Sequence, residues 1–284
     1  MKHFDYYKPR SLDEALDLKK KIPESKFIAG GTDLMVQIKS GEAAPSALLS
    51  LRSIPELSSI EINGKTSIGA LVTVADLVRH PNLRKHYPLL VEAARRLGGP
   101  QIRNVATVGG NLCNCSPCAD LALPLLVLEA QVKFRNDAGI QVCPIEDFFR
   151  GPGESCLSSA TILTEILIGP PSPHAKGVFM KKGRIKMDLA IASLAVLLEM
   201  KETVCRKARI AAGSVAPVPL RLVKVESLLE GKEISPELVR QARNLAKESV
   251  APITDIRATE KYRREIVGVY TKRSLEFILG GREL

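Results

Sequence analysis

Tryptophan is absent from these 284 residues and aromatic residues make up only 4% of them. A platform of ring faces for stacking single-stranded nucleic acid is therefore missing. The four histidines, His3, His80, His86 and His174, are scattered among polar or proline-adjacent positions, and no H-E-x-x-H zinc motif occurs. No G-x-G-x-x-G follows a strand-like run, which leaves a Rossmann dinucleotide site unsupported. No G-x-x-x-x-G-K-[ST] is present either, which sets aside a P-loop nucleotidase. No segment approaches the run of about 18 apolar residues that a membrane span needs. The stretch Met1-Lys2-His3-Phe4-Asp5-Tyr6-Tyr7 carries no apolar signal-peptide core, so the cytoplasm is the expected address.

What is there reads as a soluble globular chain, with 45% hydrophobic and 25% charged residues. Its length permits one large domain or two to three small ones. The formal net charge is +10, but the basic residues are dispersed; Lys19-Lys20-Lys21 and Lys181-Lys182 are short runs, not a nucleic-acid tract. The excess fits solubility or an acidic protein partner better than nucleic acid, which is not an expected partner.

Two glycine doublets stand out. Ala29, Gly30, Gly31, Thr32, Asp33 and Leu34 form one segment, and Thr107, Val108, Gly109, Gly110 and Asn111 form the other. A Gly-Gly step permits positive φ and close backbone approach to a ligand. Consecutive N–H groups turned inward make an anion-binding concavity, strengthened by a following helix N-terminus. Either doublet alone reads as an ordinary turn. Together, with Thr32, Asp33, Thr107 and Asn111 beside the glycines, they suit the two phosphates of one dinucleotide held from opposite sides.

The run Ile102-Arg103-Asn104-Val105-Ala106-Thr107-Val108-Gly109-Gly110-Asn111-Leu112-Cys113-Asn114, then Ser116-Pro117 and Ala119-Asp120, resembles the FAD-binding subunit of molybdenum hydroxylases. That family includes the medium subunit of carbon monoxide dehydrogenase and the flavin domain of xanthine dehydrogenase. The Ala29–Leu34 segment resembles the family's other phosphate loop, and the similarity extends over nearly the whole chain. The resemblance implies an α+β fold with a PCMH-like FAD-binding unit over residues 1–170. Its two subdomains, about 1–55 and 56–170, hold FAD between them. A three-stranded antiparallel sheet with helices follows, over 175–284.

By the same resemblance, Gly30, Gly31, Thr32, Asp33, Gly109, Gly110 and Asn111 contact the FAD diphosphate and ribityl chain, flanked by Ala29, Leu34 and Val108 and helped by Thr107 and Asp120. A helix cap is the alternative role for Asp120. Phe179-Met180-Lys181-Lys182 followed by Asp188-Leu189-Ala190 resembles the family stretch lying near the flavin; Lys181 is the candidate cation for the reduced ring, with an exposed strand lysine as the alternative. Leu163 is placed at the adenine or ring by family position, and an apolar core role explains it equally well. The implied function is electron transfer: a large molybdopterin subunit oxidises the substrate, a small [2Fe–2S] subunit relays electrons, and FAD passes them to NAD or a quinone. A heterotrimer follows, with no catalytic acid–base residue in this chain. The absence of histidine from both doublets points to non-covalent FAD. A self-sufficient flavin oxidase or dehydrogenase and a non-catalytic scaffold are the competing readings.

Six cysteines with no export signal point to reduced thiols. Cys113, Cys115 and Cys118 have spacing suggestive of an iron–sulfur site, with Cys143 or Cys156 as a fourth ligand. They abut the second glycine segment, where a flavin needs room, so free thiols and no metal are expected.

Ser11-Leu12-Asp13-Glu14 opens a helix to about Ile22, Lys26–Ile28 is a short strand, and Leu34–Ile38 a short helix ended by Gly41. Ser59–Ile62 and Thr66–Leu71 read as a hairpin with a type I′ turn at Asn63-Gly64. Thr73 starts a helix, Leu89–Leu97 and Asp120–Leu128 are two more, and Val132–Arg135 with Ile140–Cys143 is a second hairpin. Gly169–Pro173 is the clearest linker. Beyond it, Gly177–Lys182, Leu189–Met200 and Cys205–Val215 read as strands, then Val223–Leu229, a helix capped by Ser235-Pro236, and Thr259–Leu279 as helices.

Overall fold

A computed structural model describes residues 3–280. Three sheets succeed one another along the chain. The first is parallel, with β1 (Asp5–Tyr7), β2 (Lys26–Ile28) and β3 (Ala47–Ser50) in the order β1-β3-β2. Its connections are α1 (Leu12–Lys21) and α2 (Leu34–Ser40). The Ser11 hydroxyl accepts from the Glu14 N–H, acids occupy the first turn of α1 and lysines the last, as the helix dipole favours. Leu12, Ala15, Leu16 and Lys19 are the buried face, at helical spacing. The ammonium of Lys19 donates to Pro23 O and Ser25 O, at 2.6 and 2.5 Å, and burial lowers its pKa. α2 stops at Gly41, whose φ of 85° serves as a left-handed cap.

The second sheet is antiparallel. It orders β4 (Ile60–Asn63), β5 (Lys65–Gly69), β10 (Ile162–Ile168), β6 (Gln131–Asn136) and β7 (Gly139–Pro144) from edge to edge. The β4–β5 turn differs from expectation. Ile62 pairs with Thr66 and Asn63 with Lys65, and of Asn63 and Gly64 only Gly64 takes positive φ. A type I′ turn needs positive φ at both central residues, so a three-residue tip forms instead. Between β5 and β6 run α3 (Val74–Arg79), α4 (Pro81–His86), α5 (Pro88–Arg96), α6 (Pro100–Arg103), α7 (Val108–Cys113) and α8 (Ala122–Val127). Thr73 and Asp76 make a reciprocal capping box on α3. A two-stranded hairpin, β8 (Phe149–Gly151) and β9 (Glu154–Ser155), precedes β10. Buried Tyr87 accepts from Thr66 Oγ1 at 2.9 Å and donates to Gly169 O at 2.8 Å, fixing the start of the linker to the second sheet.

The third sheet is antiparallel in chain order: β11 (Ala175–Lys182), β12 (Ala192–Lys201), β13 (Val204–Gly213) and β14 (Leu220–Arg221). β14 is a two-residue fourth strand added to the three expected. Side chains alternate between two cores. Phe179, Ala195 and Ala211 join the core of the second sheet, while Val178, Leu194, Val196 and Ile210 pack toward the last helices. Burial on both faces explains why β12 reads as an almost unbroken apolar run. The helices are α9 (Val223–Leu229), α10 (Pro236–Glu248) and α11 (Glu260–Ile278). Arg263 on α11 is buried, donating to Ile191 O, Ser214 O and Asp255 Oδ1 at 2.7, 2.9 and 2.7 Å.

Candidate functional site

A cleft of 570 Å³ opens where the three sheets meet. Ala29, Gly30, Gly31, Thr32, Asp33, Leu34, Thr107, Gly109, Gly110, Asn111, Asp120, Leu163 and Lys181 all line it, although they span three separate parts of the chain. Val108 does not. It is 1% exposed and turned into the core of the second sheet, because an inward residue of α7 faces away from the cleft.

The first glycine segment leaves β2 and enters α2. Gly31 has φ of +73°, the left-handed conformation that glycine adopts without strain. Gly30 is required for a different reason. A Cβ there would lie 2.2 Å from Val105 O, so the two glycine-bearing segments touch backbone to backbone. The N–H groups of Gly31, Thr32 and Asp33 have no protein acceptor among the described residues. They are available to an anion in the cleft.

The second doublet is organised differently from the inward-facing N–H concavity expected for it. Gly109 and Gly110 lie in the first turn of α7, and neither has positive φ. Their N–H groups are already bonded, Gly109 to Ala70 O at 2.8 Å and Gly110 to Thr107 Oγ1 at 3.0 Å. Thr107 is thus the helix N-cap. A Cβ at Gly109 would meet Ala70 Cβ at 2.7 Å and Ala70 O at 2.8 Å, so glycine here permits α7 to lie against the end of β5. The polar group that this segment leaves unpartnered is Asn111 Oδ1, buried and without a hydrogen bond among the described residues.

Asp120 and Lys181 come together from opposite ends of the site. The Lys181 ammonium donates to Asp120 Oδ2 at 2.6 Å and to Arg96 O at 3.0 Å, and each side chain is only 5% exposed. The reading of Lys181 as an exposed strand lysine is thereby set aside. So is helix capping by Asp120, since α8 has Leu121 as N-cap and no side-chain cap bond. Burial pushes the Asp120 carboxyl up to about 6, with Lys181 opposing the rise. The second oxygen, Oδ1, is buried with no partner among the described residues. An unpaired buried carboxylate oxygen is costly and marks a place for a donor from a ligand.

Leu163 sits at the register shift of β10, 4% exposed, and both readings of it hold: it lines the cleft and belongs to the core of the second sheet. The cysteine triplet diverges. Cys115 is buried with φ of 46° and donates to Leu112 O at 3.2 Å; Cys118 donates to Ala190 O at 3.6 Å; Cys113 is exposed at the cleft. Ile102, from the resembling run before the second doublet, and Asp188 and Leu189, from the stretch beyond Lys181, also line the cleft. Sequence reasoning missed Met187 beside them, which has no motif and is set apart only by its exposed apolar side chain.

Among the described residues no helix is long and apolar enough to cross a membrane. A family model described as the FAD binding domain in molybdopterin dehydrogenase matches residues 2–171, and the CO dehydrogenase flavoprotein C-terminal domain matches 178–277. The nicotinate dehydrogenase FAD-subunit of Eubacterium barkeri is 31% identical, over 98% of this chain and 97% of that one. The carbon monoxide dehydrogenase medium chain of Hydrogenophaga pseudoflava is 31% identical over 96% of both chains. A chain of the solved carbon monoxide dehydrogenase from that organism superimposes with a TM-score of 0.94 at 30% identity, covering 97% of this chain and 96% of its own. Quinoline 2-oxidoreductase from Pseudomonas putida 86 gives 0.93 at 28% identity, with 99% of each chain covered. Its α+β architecture, its cleft and these matches together make this chain an FAD-binding oxidoreductase subunit of the molybdenum hydroxylase family.

Proposed function

We propose that this chain is the electron-conducting FAD subunit of a heterotrimeric molybdenum hydroxylase and oxidises no organic substrate itself. Electrons then run from the [2Fe–2S] clusters of a small partner, through FAD held in the cleft, to an external acceptor such as NAD or a quinone. Substrate oxidation belongs to a large molybdopterin partner. The relatives' names, as FAD subunits and medium chains of dehydrogenases, support such an assembly. We also assign residues 1–170 to FAD binding, 175–284 to the C-terminal domain, and the complex to the cytoplasm.

The observation that carries this reading is the cleft's set of unsatisfied polar groups. The N–H groups of Gly31, Thr32 and Asp33 suit a diphosphate, and Asn111 Oδ1 and Asp120 Oδ1 suit the hydroxyl and N–H groups of ribityl chain and ring. These residues fit FAD. Its isoalloxazine accepts electrons singly and releases them as a hydride, so the protein need only bind, orient and tune it. Lys181 is held at the side of the cleft by Asp120 Oδ2 and Arg96 O, which fixes its side chain beside the ligand's place. No histidine lines the cleft, and Asp120, its one buried carboxylate, is tied to Lys181. A general base for substrate deprotonation is therefore lacking among these groups.

Isolation of the intact complex tests the reading. FAD, iron and molybdenum should co-purify in fixed ratio with this chain, and Gly31→Val, which forces a β-branched residue to φ of +73°, should remove FAD alone. A Gly31→Val complex with full flavin contradicts the cradle. A chain that purifies without iron- and molybdenum-bearing partners contradicts the assembly.

A further inference from the structure

Cys143 and Cys156 take no part in the cleft, yet their sulfurs lie 3.9 Å apart. Cys143 is near the end of the edge strand β7, and Cys156 directly follows β9. The fold holds both in place: Cys143 pairs with Val132 across the sheet, Ser155 with Phe149, and the Cys156 N–H donates to Phe148 O at 2.8 Å. Both thiols are half-buried, packed against the core of the second sheet but open to a small solute. No other two of the six cysteine sulfurs make such a contact among the described residues. A disulfide needs its sulfurs at about 2.05 Å, so the two sulfurs must approach by about 2 Å to bond.

We propose that Cys143 and Cys156 are a peroxide-oxidised dithiol, whose disulfide ties the β8–β9 hairpin to β7 beside the cofactor cleft. Burial, and next the neighbouring Cys156 sulfur, pushes the Cys143 thiol up to about 12, which favours Cys143 as the resolving thiol of the pair. In the first step Cys156 sulfur attacks one peroxide oxygen. An S–O bond forms, the O–O bond breaks, and the departing hydroxide takes up the proton given up by the Cys156 thiol, leaving as water. In the second, Cys143 sulfur attacks Cys156 sulfur, the S–S bond forms, and the S–O oxygen leaves as water with the Cys143 proton. Two thiols are oxidised and one hydrogen peroxide is reduced to two waters. The hairpin so tied is the one whose Gly153 N–H donates to Cys115 O at 3.1 Å, supporting the segment that runs from α7 along the cleft.

Tryptic mapping of the FAD-loaded chain tests this without reference to electron transfer. Trypsin places Cys143 in the peptide 136–150, Cys156 in 151–176, and Cys113, Cys115 and Cys118 in 104–133. After reduction, desalting, stoichiometric hydrogen peroxide and alkylation, 136–150 and 151–176 should appear joined and two hydrogens lighter, and dithiothreitol should separate them. Cys143→Ser should leave Cys156 as a sulfenic acid captured by dimedone, and Cys156→Ser should leave Cys143 open to alkylation. Recovery of both wild-type peptides fully alkylated after Cys113 has been oxidised would overturn the proposal, as would a link from Cys156 to Cys113 or Cys115. The wild-type map decides the matter alone if either serine variant fails to fold.

Discussion

Replacing Gly30 with alanine adds one methyl group where the two glycine segments touch. That carbon would stand 2.2 Å from Val105 O, against an ordinary contact of 3.4 Å or more. The neighbour is backbone and cannot rotate away, so the segments must separate by about 1 Å, and forced overpacking of this kind costs about 1–3 kcal/mol. The same displacement lengthens any hydrogen bond from Gly31, Thr32 and Asp33 to a bridging diphosphate beyond its useful range of about 2.7–3.2 Å. Loss of one charge-assisted bond, at about 1.5–3 kcal/mol, weakens FAD binding by about 10- to 100-fold. Flavin fluorescence titration of the deflavinated chain and urea unfolding measure the two effects. Gly41→Ala is the control: it strains the backbone, at φ of 85°, but nothing lies within 4 Å of the added methyl group. It should cost about 1 kcal/mol of stability and leave FAD affinity unchanged. An alanine at position 30 that leaves both FAD affinity and stability at wild-type values would refute the backbone-to-backbone account of the site.

The Asp120 carboxyl, raised from 3.8 to about 6, contributes stability that is present below pH 4 and lost as pH rises through 6, about 3 kcal/mol in all. The stability difference between wild type and Asp120→Asn, followed by urea unfolding, should therefore shift against wild type across that window; parallel profiles from pH 4 to 7 would show that the carboxyl is not desolvated. Lys181→Met leaves Asp120 buried without its partner and should cost about 3–5 kcal/mol at pH 7, together with a more negative flavin reduction potential; an unchanged potential in a spectroelectrochemical titration separates Lys181 from the ring. Tyr87→Phe strips partners from Thr66 Oγ1 and Gly169 O, for a loss of about 1–3 kcal/mol in urea unfolding with FAD affinity intact.

Local signals carried much of this fold. Ser11 caps its helix, Lys26–Ile28 is a strand with those bounds, Gly41 ends α2, and Ser235-Pro236 opens α10. The same cap-then-proline pattern at His80-Pro81 opens α4, with Nδ1 of His80 accepting from the Leu83 N–H, and could have been read as such. The cleft was legible in its glycines but not in their roles. That Gly30 meets Val105, or that Gly109 meets Ala70, is a long-range approach with no local signature. Only Gly31 uses positive φ among the four doublet glycines. The Asp120–Lys181 pair joins residues 61 apart in sequence, and nothing at either position announces its partner. Val108 lies outside the cleft lining because it opens α7 just after the Thr107 cap and packs into the core.

Anaerobic stopped-flow mixing tests most directly whether this chain conducts electrons and has no substrate of its own. The FAD-loaded chain, mixed with aldehydes, purines or carbon monoxide, should show no bleaching of the flavin band. Addition of the reduced [2Fe–2S] partner should bleach it rapidly, and NAD or a quinone should then restore it. Rapid bleaching by any of those substrates without partners, or failure of the reduced partner to bleach it, would contradict the account.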